Sequence, residues 1–194
     1  MSRAKIFHEE DVTNRAMTLF WSKGYEPTSI ADLTQVMGIN KGSLYHSFGN
    51  KRSLFKRALL KYDVEHRRAT LARMSKITDP IVSIDTLFSL LVKQSLDDIE
   101  KKGCMLVNST LELPHHEDDI KAIVVAGMNE FEDYFRRQLI LAKQNGTVSN
   151  DVNIETTAKG LLTLVVGLRV LARGVFSEDE LNAIRSQAMT FIGK

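Results

Sequence analysis

Apolar residues recur along this chain at helical spacing and do not form the alternating runs of a strand. Val12, Ala16, Leu19 and Phe20 fall at i, i+4, i+7 and i+8, predicting a first helix over about 9–22 that Gly24 stops. Ser29 can cap a short second helix, with Asp32 three residues on in a capping-box arrangement and Ile30, Leu33 and Val36 on its buried side. Met37-Gly38-Ile39 reads as a turn. Asn40 caps a third helix reaching about Phe48, and Asn50 caps a fourth with Leu54, Phe55, Ala58, Leu59 and Tyr62 at helical spacing.

Beyond Pro80 the predicted helices lengthen to about 80–100, 103–113, 118–144, 153–175 and 177–192. Gly103, Pro114, Asn145-Gly146 and Gly174-Val175 separate them. The pattern is therefore all-α, with a four-helix head over 1–67 and a larger helical body over 68–194. The helix from Ile154 is apolar nearly all round, so other helices of the chain or a second copy must cover it.

With 43% hydrophobic and 26% charged residues in 194, the chain can build a packed core and is not of disordered composition. Its polar start and the short apolar stretch from Gly160 to Leu168 predict neither export nor membrane insertion. One cysteine, Cys104, precludes an internal disulfide and fits a reducing cytoplasm. Net charge is +2, but it is unevenly spread. Residues 1–70 carry 12 Lys/Arg against 7 Asp/Glu, and 71–194 carry 14 against 17. The positive excess lies in the head, as contact with phosphate would require.

Two short helices joined by a glycine-containing turn have the geometry of a helix-turn-helix, whose second helix enters the major groove. On the third helix Leu44 and Phe48 share one side, while Gly42, Ser43, Tyr45 and His46 spread over the other. Gly42 sacrifices about 1 kcal/mol of helix propensity but lets a backbone approach DNA closely. Lys41 and the pair Lys51-Arg52 sit in first helical turns, where a cation opposes the macrodipole by roughly a few tenths of a kcal/mol. That position suits phosphate, because the dipole and the side chain then act on one anion. Solvated surface lysines are the competing reading, weakened by the recurrence at two helix starts beside one turn.

The run Gly24-Tyr25-Glu26-Pro27-Thr28-Ser29-Ile30, followed by the continuous stretch from Met37 through Lys41-Gly42-Ser43-Leu44-Tyr45-His46 to Leu54, resembles the DNA-binding domain of the TetR/AcrR repressor family over about residues 7–60. The resemblance implies that Lys41, Gly42, Ser43 and Tyr45 meet bases and backbone. It places His46 and Lys51 on phosphates and Thr28 near the phosphate at the second helix. Ser47 departs from the histidine or tyrosine of many members. The resemblance further implies about nine helices, double-stranded palindromic operator DNA as partner, and a homodimer through about 153–192. Two recognition helices would then lie roughly 34–36 Å apart.

In that family the middle helices hold a small-molecule effector. Phe88, Cys104, Met105, Met128, Phe131, Tyr134 and Phe135 are candidates to line such a pocket, because Met and aromatic side chains adapt to apolar ligands. At helical spacing the same residues also suit a core. Lys101-Lys102-Gly103-Cys104-Met105-Leu106-Val107-Asn108 resembles a Gly-Cys-apolar-Asn motif of one branch, some of whose members sense electrophiles or oxidants through a nearby cysteine. A thiol at a helix start behind two lysines would gain thiolate character. A free cysteine more often simply packs.

His115 and His116, near Glu112, Glu117, Asp118 and Asp119, invite a metal reading. A solvated loop with an acidic cap for the next helix explains them better, so neither a metal nor a cofactor is expected. No nucleophile-base spacing or phosphate loop supports an enzyme acting through Cys104. The sequence thus points to a DNA-binding transcription regulator, probed against an effector-independent protein that acts by occupancy or by recruiting a partner.

Overall fold

The computed structural model describes residues 8–193, and among these the chain is all helical. The stretch 1–7, assigned to the head and holding two of its basic residues, lies outside the described residues. Helices α1 (Glu9–Lys23), α2 (Ile30–Met37), α3 (Lys41–Phe48) and α4 (Lys51–Tyr62) form the head. α5 (Ala69–Met74), α6 (Pro80–Asp97), α7 (Met105–Leu111), α8 (Asp118–Gln144), α9 (Ile154–Leu171) and α10 (Glu178–Phe191) complete the chain.

Caps fix most boundaries. Ser29 with Asp32 and Ser177 with Glu180 close reciprocal capping boxes, and Asn40, Asn50 and Asn153 each accept a backbone N–H of their own first turn. Asp79 accepts from Ile81 and Val82 ahead of the Pro80 that opens α6.

α4 continues through a π-helical turn, Asp63–Arg68, directly into α5, so one rod joins head to body. Inside it Asp63 and Arg67 are buried as an ion pair, which Glu130 of α8 extends. α6 and α7 are shorter than the periodicity suggests. Asp98 leaves helical geometry and accepts from the Gly103 N–H at 2.9 Å, while Lys101 (φ 55°) and Gly103 (φ 71°) turn the chain left-handed.

Buried side chains form two clusters that do not divide at residue 67. The first joins the head residues to Cys104, Met105, Leu106 and Val107 of the α7 start and to Ile120 and Val124 of α8. The second holds Phe88, Phe131, Tyr134, Phe135 and the inner faces of α9 and α10. α9 buries Leu161, Val165 and Leu168 against α6, α8 and α10, and Leu162, Leu164 and Leu171 stay partly open. Among the described residues no helix is long and apolar enough to cross a membrane.

Candidate nucleic-acid interface and sensor cavity

α2 and α3 are joined by a left-handed Gly38 (φ 67°), whose N–H donates to the Thr34 carbonyl at 3.0 Å, with the Ile39 N–H reaching the same carbonyl at 3.2 Å. The Asn40 side chain then accepts from the Ser43 N–H at 2.7 Å and starts α3. Leu44 and Phe48 anchor α3 on the head core, which leaves Lys41, Gly42, Tyr45 and His46 exposed and Ser43 partly exposed. The Lys41 ammonium lies 5.8 Å from the Tyr45 ring centre, one helical turn apart on the outer face. A Cβ at Gly42 would come within 3.3 Å of Asn40 Oδ1, so the missing side chain also spares the cap.

Lys51 is half-buried. It donates to the Glu26 carbonyl at 3.2 Å and sits 4.3 Å over the Tyr25 ring, tying the start of α4 to the loop before α2. Thr28 is buried, and its hydroxyl donates to the Gly24 carbonyl at 2.6 Å, which commits the side chain to shaping that loop. Arg52 is engaged by acids of the body. It pairs with Glu117 at 2.7 Å and Asp119 at 3.0 Å, and Asp119 also takes Lys56 at 3.0 Å. These contacts hold the Asp119 carboxyl down at about 2 and form a strut from α4 to the start of α8.

His115 and His116 do not form the solvated loop that their sequence suggests. His115 is exposed, but His116 is only 4% exposed and stacks on Phe55, 5.4 Å between ring centres, with the tilted Tyr25 ring 5.3 Å from it and against the same Phe55. The acidic cap of α8 instead faces the head through Arg52 and Lys56. Among the described residues no group of three His, Cys, Asp or Glu is placed to hold a metal.

A cavity of about 840 Å³ opens at the joint of head and body. Of the pocket residues suggested by sequence, Cys104 and Phe131 line it. Phe88, Tyr134 and Phe135 are fully buried in the second cluster, Met105 is buried in the first and Met128 packs on its edge. Their spacing marked a helix's inner face, which core and cavity share. Sequence reasoning missed Trp21 and Tyr62 from the head, and Arg67 and Arg169. Arg169 alone carried a signal, as a charge at the end of an otherwise apolar run. Trp21 Nε1 donates across the joint to the Gly103 carbonyl at 3.1 Å. Cys104 is 7% exposed and lies beside the buried Tyr62 hydroxyl, whose pKa is raised well above the ordinary value by burial first and then by the neighbouring thiol.

A glycine turn, a capped helix with a polar outer face and a body anchored behind it define a helix-turn-helix DNA-binding regulator. The comparisons place it more closely. Residues 12–58 match the family "Bacterial regulatory proteins, tetR family", and residues 82–187 match "Tetracyclin repressor-like, C-terminal domain", so the chain belongs to the TetR family. It is 30% identical to the uncharacterized HTH-type transcriptional regulator YezE of Bacillus subtilis (strain 168), over 93% of this chain and 94% of that one. It is 25% identical to the HTH-type transcriptional repressor ComR of Escherichia coli (strain K12), over 94% and 87%. A cysteine-substituted TetR family regulator, CifR, solved with 26 bp of double-strand operator DNA, superposes with a TM-score of 0.84 at 27% identity, covering 97% of this chain and 98% of that one.

Proposed function

We propose that the protein represses transcription by binding a palindromic operator as a homodimer, and that a small molecule in the head–body cavity releases it. The observation that carries this reading is the composition of the cavity wall. Trp21 and Tyr62 of the head face the same space as Phe131 and Arg169 of the body, so an occupant bears directly on the unit that holds α3. A filled body would instead favour action by occupancy alone.

α3 presents Lys41, Gly42, Ser43, Tyr45 and His46 together, with Lys51 at the adjoining helix start, as a surface for one major groove. Partly open Leu162, Leu164 and Leu171 on α9 and exposed Phe191 on α10 support pairing of two copies through these helices. CifR, with which the chain superposes, was solved on operator DNA. Cys104 on the cavity wall extends the effector class to electrophiles small enough to enter. The protein acts as a regulator in the cytoplasm and not as a catalyst.

Selection of bound fragments from random duplex DNA at near-physiological salt tests the reading. One enriched palindrome, with affinity that falls on adding an effector, is the expected result. Salt-sensitive binding without an enriched sequence would overturn it.

A further inference from the structure

Arg169 is a buried cation without a counter-ion. It stands on α9, 8% exposed, and donates from Nη1 to Ser95 Oγ at 3.0 Å and from Nη2 to the Gly103 carbonyl at 3.3 Å, both neutral acceptors. It makes no ion pair among the described residues, although removing a guanidinium from water without a compensating charge is costly.

The acids around the same cavity are already engaged. Glu65 pairs with Lys61 at 2.7 Å, Asp97 with Lys93 at 2.9 Å and Glu100 with Lys102 at 2.9 Å, while Asp98 accepts from the Gly103 N–H. Arg67 on the same wall is answered by Asp63 and Glu130. Burial lowers the His66 pKa against the opposing pull of Glu65, and nearby Arg169 lowers it further. Arg169 is therefore the one buried guanidinium on the wall without an ion pair, while exposed Arg73 also lines the cavity and Asp98 is answered only by a backbone N–H. Apolar surface faces Arg169 from Trp21, Tyr62, Leu91, Val107, Phe131 and Val165.

We propose that the cavity takes a monoanionic organic acid, its carboxylate paired with Arg169 and its aromatic or alkyl body lying against Trp21, Leu91 and Phe131. This rests on the reading of the cavity as the effector site. One unpaired fork-shaped guanidinium matches one carboxylate, and a phosphate dianion would bring a second charge that no free buried cation answers. The volume, about 840 Å³, lies within the range of small-molecule pockets. The site is also wired to the head. The Gly103 carbonyl accepts from both Arg169 and Trp21, so a carboxylate that draws the guanidinium towards itself alters the contact that holds α1 on the body.

Trp21 is the sole tryptophan of the chain and a wall of the site, so its emission reports binding in the unmodified protein. The test titrates the full-length protein with decanoate and 4-phenylbutyrate, and with the matching primary amides. Saturable emission changes are expected for the acids, with the amides weaker by about tenfold or more. Arg169→Gln should bring the acids down to the level of the amides, and Arg169→Lys should retain part of the difference. Amides binding as well as acids, no binding by either, or a folded Arg169→Gln that binds acids unchanged would each overturn the proposal. Should Arg169→Gln fail to fold, the acid–amide difference in the unmodified protein still decides. Operator affinity separates the two readings. Acids that bind as expected yet leave it unchanged would remove the effector reading and keep the acid site. Neutral effectors that release DNA from the unmodified protein, while acids bind no better than their amides, would do the reverse.

Discussion

At the scale of single residues, the outer face of α3 and the buried His116 make separate demands. Tyr45 is 41% exposed and held beside Lys41, so neither supports the core. Tyr45→Ala and Lys41→Ala are expected to weaken operator binding, by about 1–3 kcal/mol where the side chain reads a base edge, with melting temperature unchanged. Lys51→Ala should flatten the salt dependence of binding by about one unit of slope. Unaltered binding in all three would remove α3 as the reading element. His116 has neither ring nitrogen hydrogen-bonded, and Glu112 is 3.7 Å away. Burial lowers its pKa and outweighs the opposing pull of Glu112. An unfolded imidazole titrates near 6.5, so below about that pH the unfolded chain binds the proton that the folded chain refuses, and stability falls as pH drops towards the folded value. His116→Phe keeps the stack on Phe55 and removes two unsatisfied nitrogens. It should raise stability by roughly 1 kcal/mol and shallow the loss between about pH 7 and 5 in thermal melts. A lower melting point with the original slope would show that the ring's nitrogens matter.

At the scale of elements, the π-helical turn between α4 and α5 carries the rod from head to body. It lets Asp63 accept from Arg67 at 2.9 Å and from Arg68 at 2.8 Å while both arginines reach Glu130 on α8. Asp63→Asn leaves Arg67 buried with Glu130 as its one carboxylate, and a loss on the order of 3 kcal/mol is expected in denaturant titrations. A loss under about 0.5 kcal/mol would mean that the turn stands without its ion pair. The sequence made the helices of the head legible through Ser29, Gly38, Asn40 and Asn50, because caps and turns are local chemistry. The π turn was not legible, since Tyr62 and Leu71 fit a helical pattern on either side of it. The pairing of Arg52 was not legible for a related reason. A cation in a first helical turn suits phosphate, and only the folded chain brings Glu117 and Asp119 to it.

At the scale of the molecule, the head core runs on into α7 and the start of α8, so head and body share apolar contacts as well as the Arg52 strut and the Trp21 hydrogen bond. A change at the cavity therefore has short routes to α3. The open side of α9 and α10 belongs to the same scale. Phe191 is 44% exposed and its ring lies across Gly160, where an added Cβ would meet it at 2.9 Å. Sedimentation should give twice the 21.9 kDa chain mass. Leu164→Glu together with Phe191→Glu should give monomers with sharply weaker operator binding. A double variant that remains dimeric would place the interface elsewhere.

The sequence by itself determined the helices of the head, the turn between α2 and α3, and the polar outer face of α3, because each follows from caps, glycine and a 3.6-residue period acting over a few residues. It also determined that the α9 helix is too apolar to stand in water. Tertiary structure alone decided which inward-facing residues pack and which border a cavity, since Phe131 and Phe135 share a helix face and differ only in what lies opposite. It alone gave Arg52 to Glu117 and Asp119, buried His116 under the head, and left Arg169 in the cavity wall without a carboxylate. Burial and pairing depend on residues up to about a hundred positions apart, as Arg185 and Asp85 are, and no local pattern carries that distance.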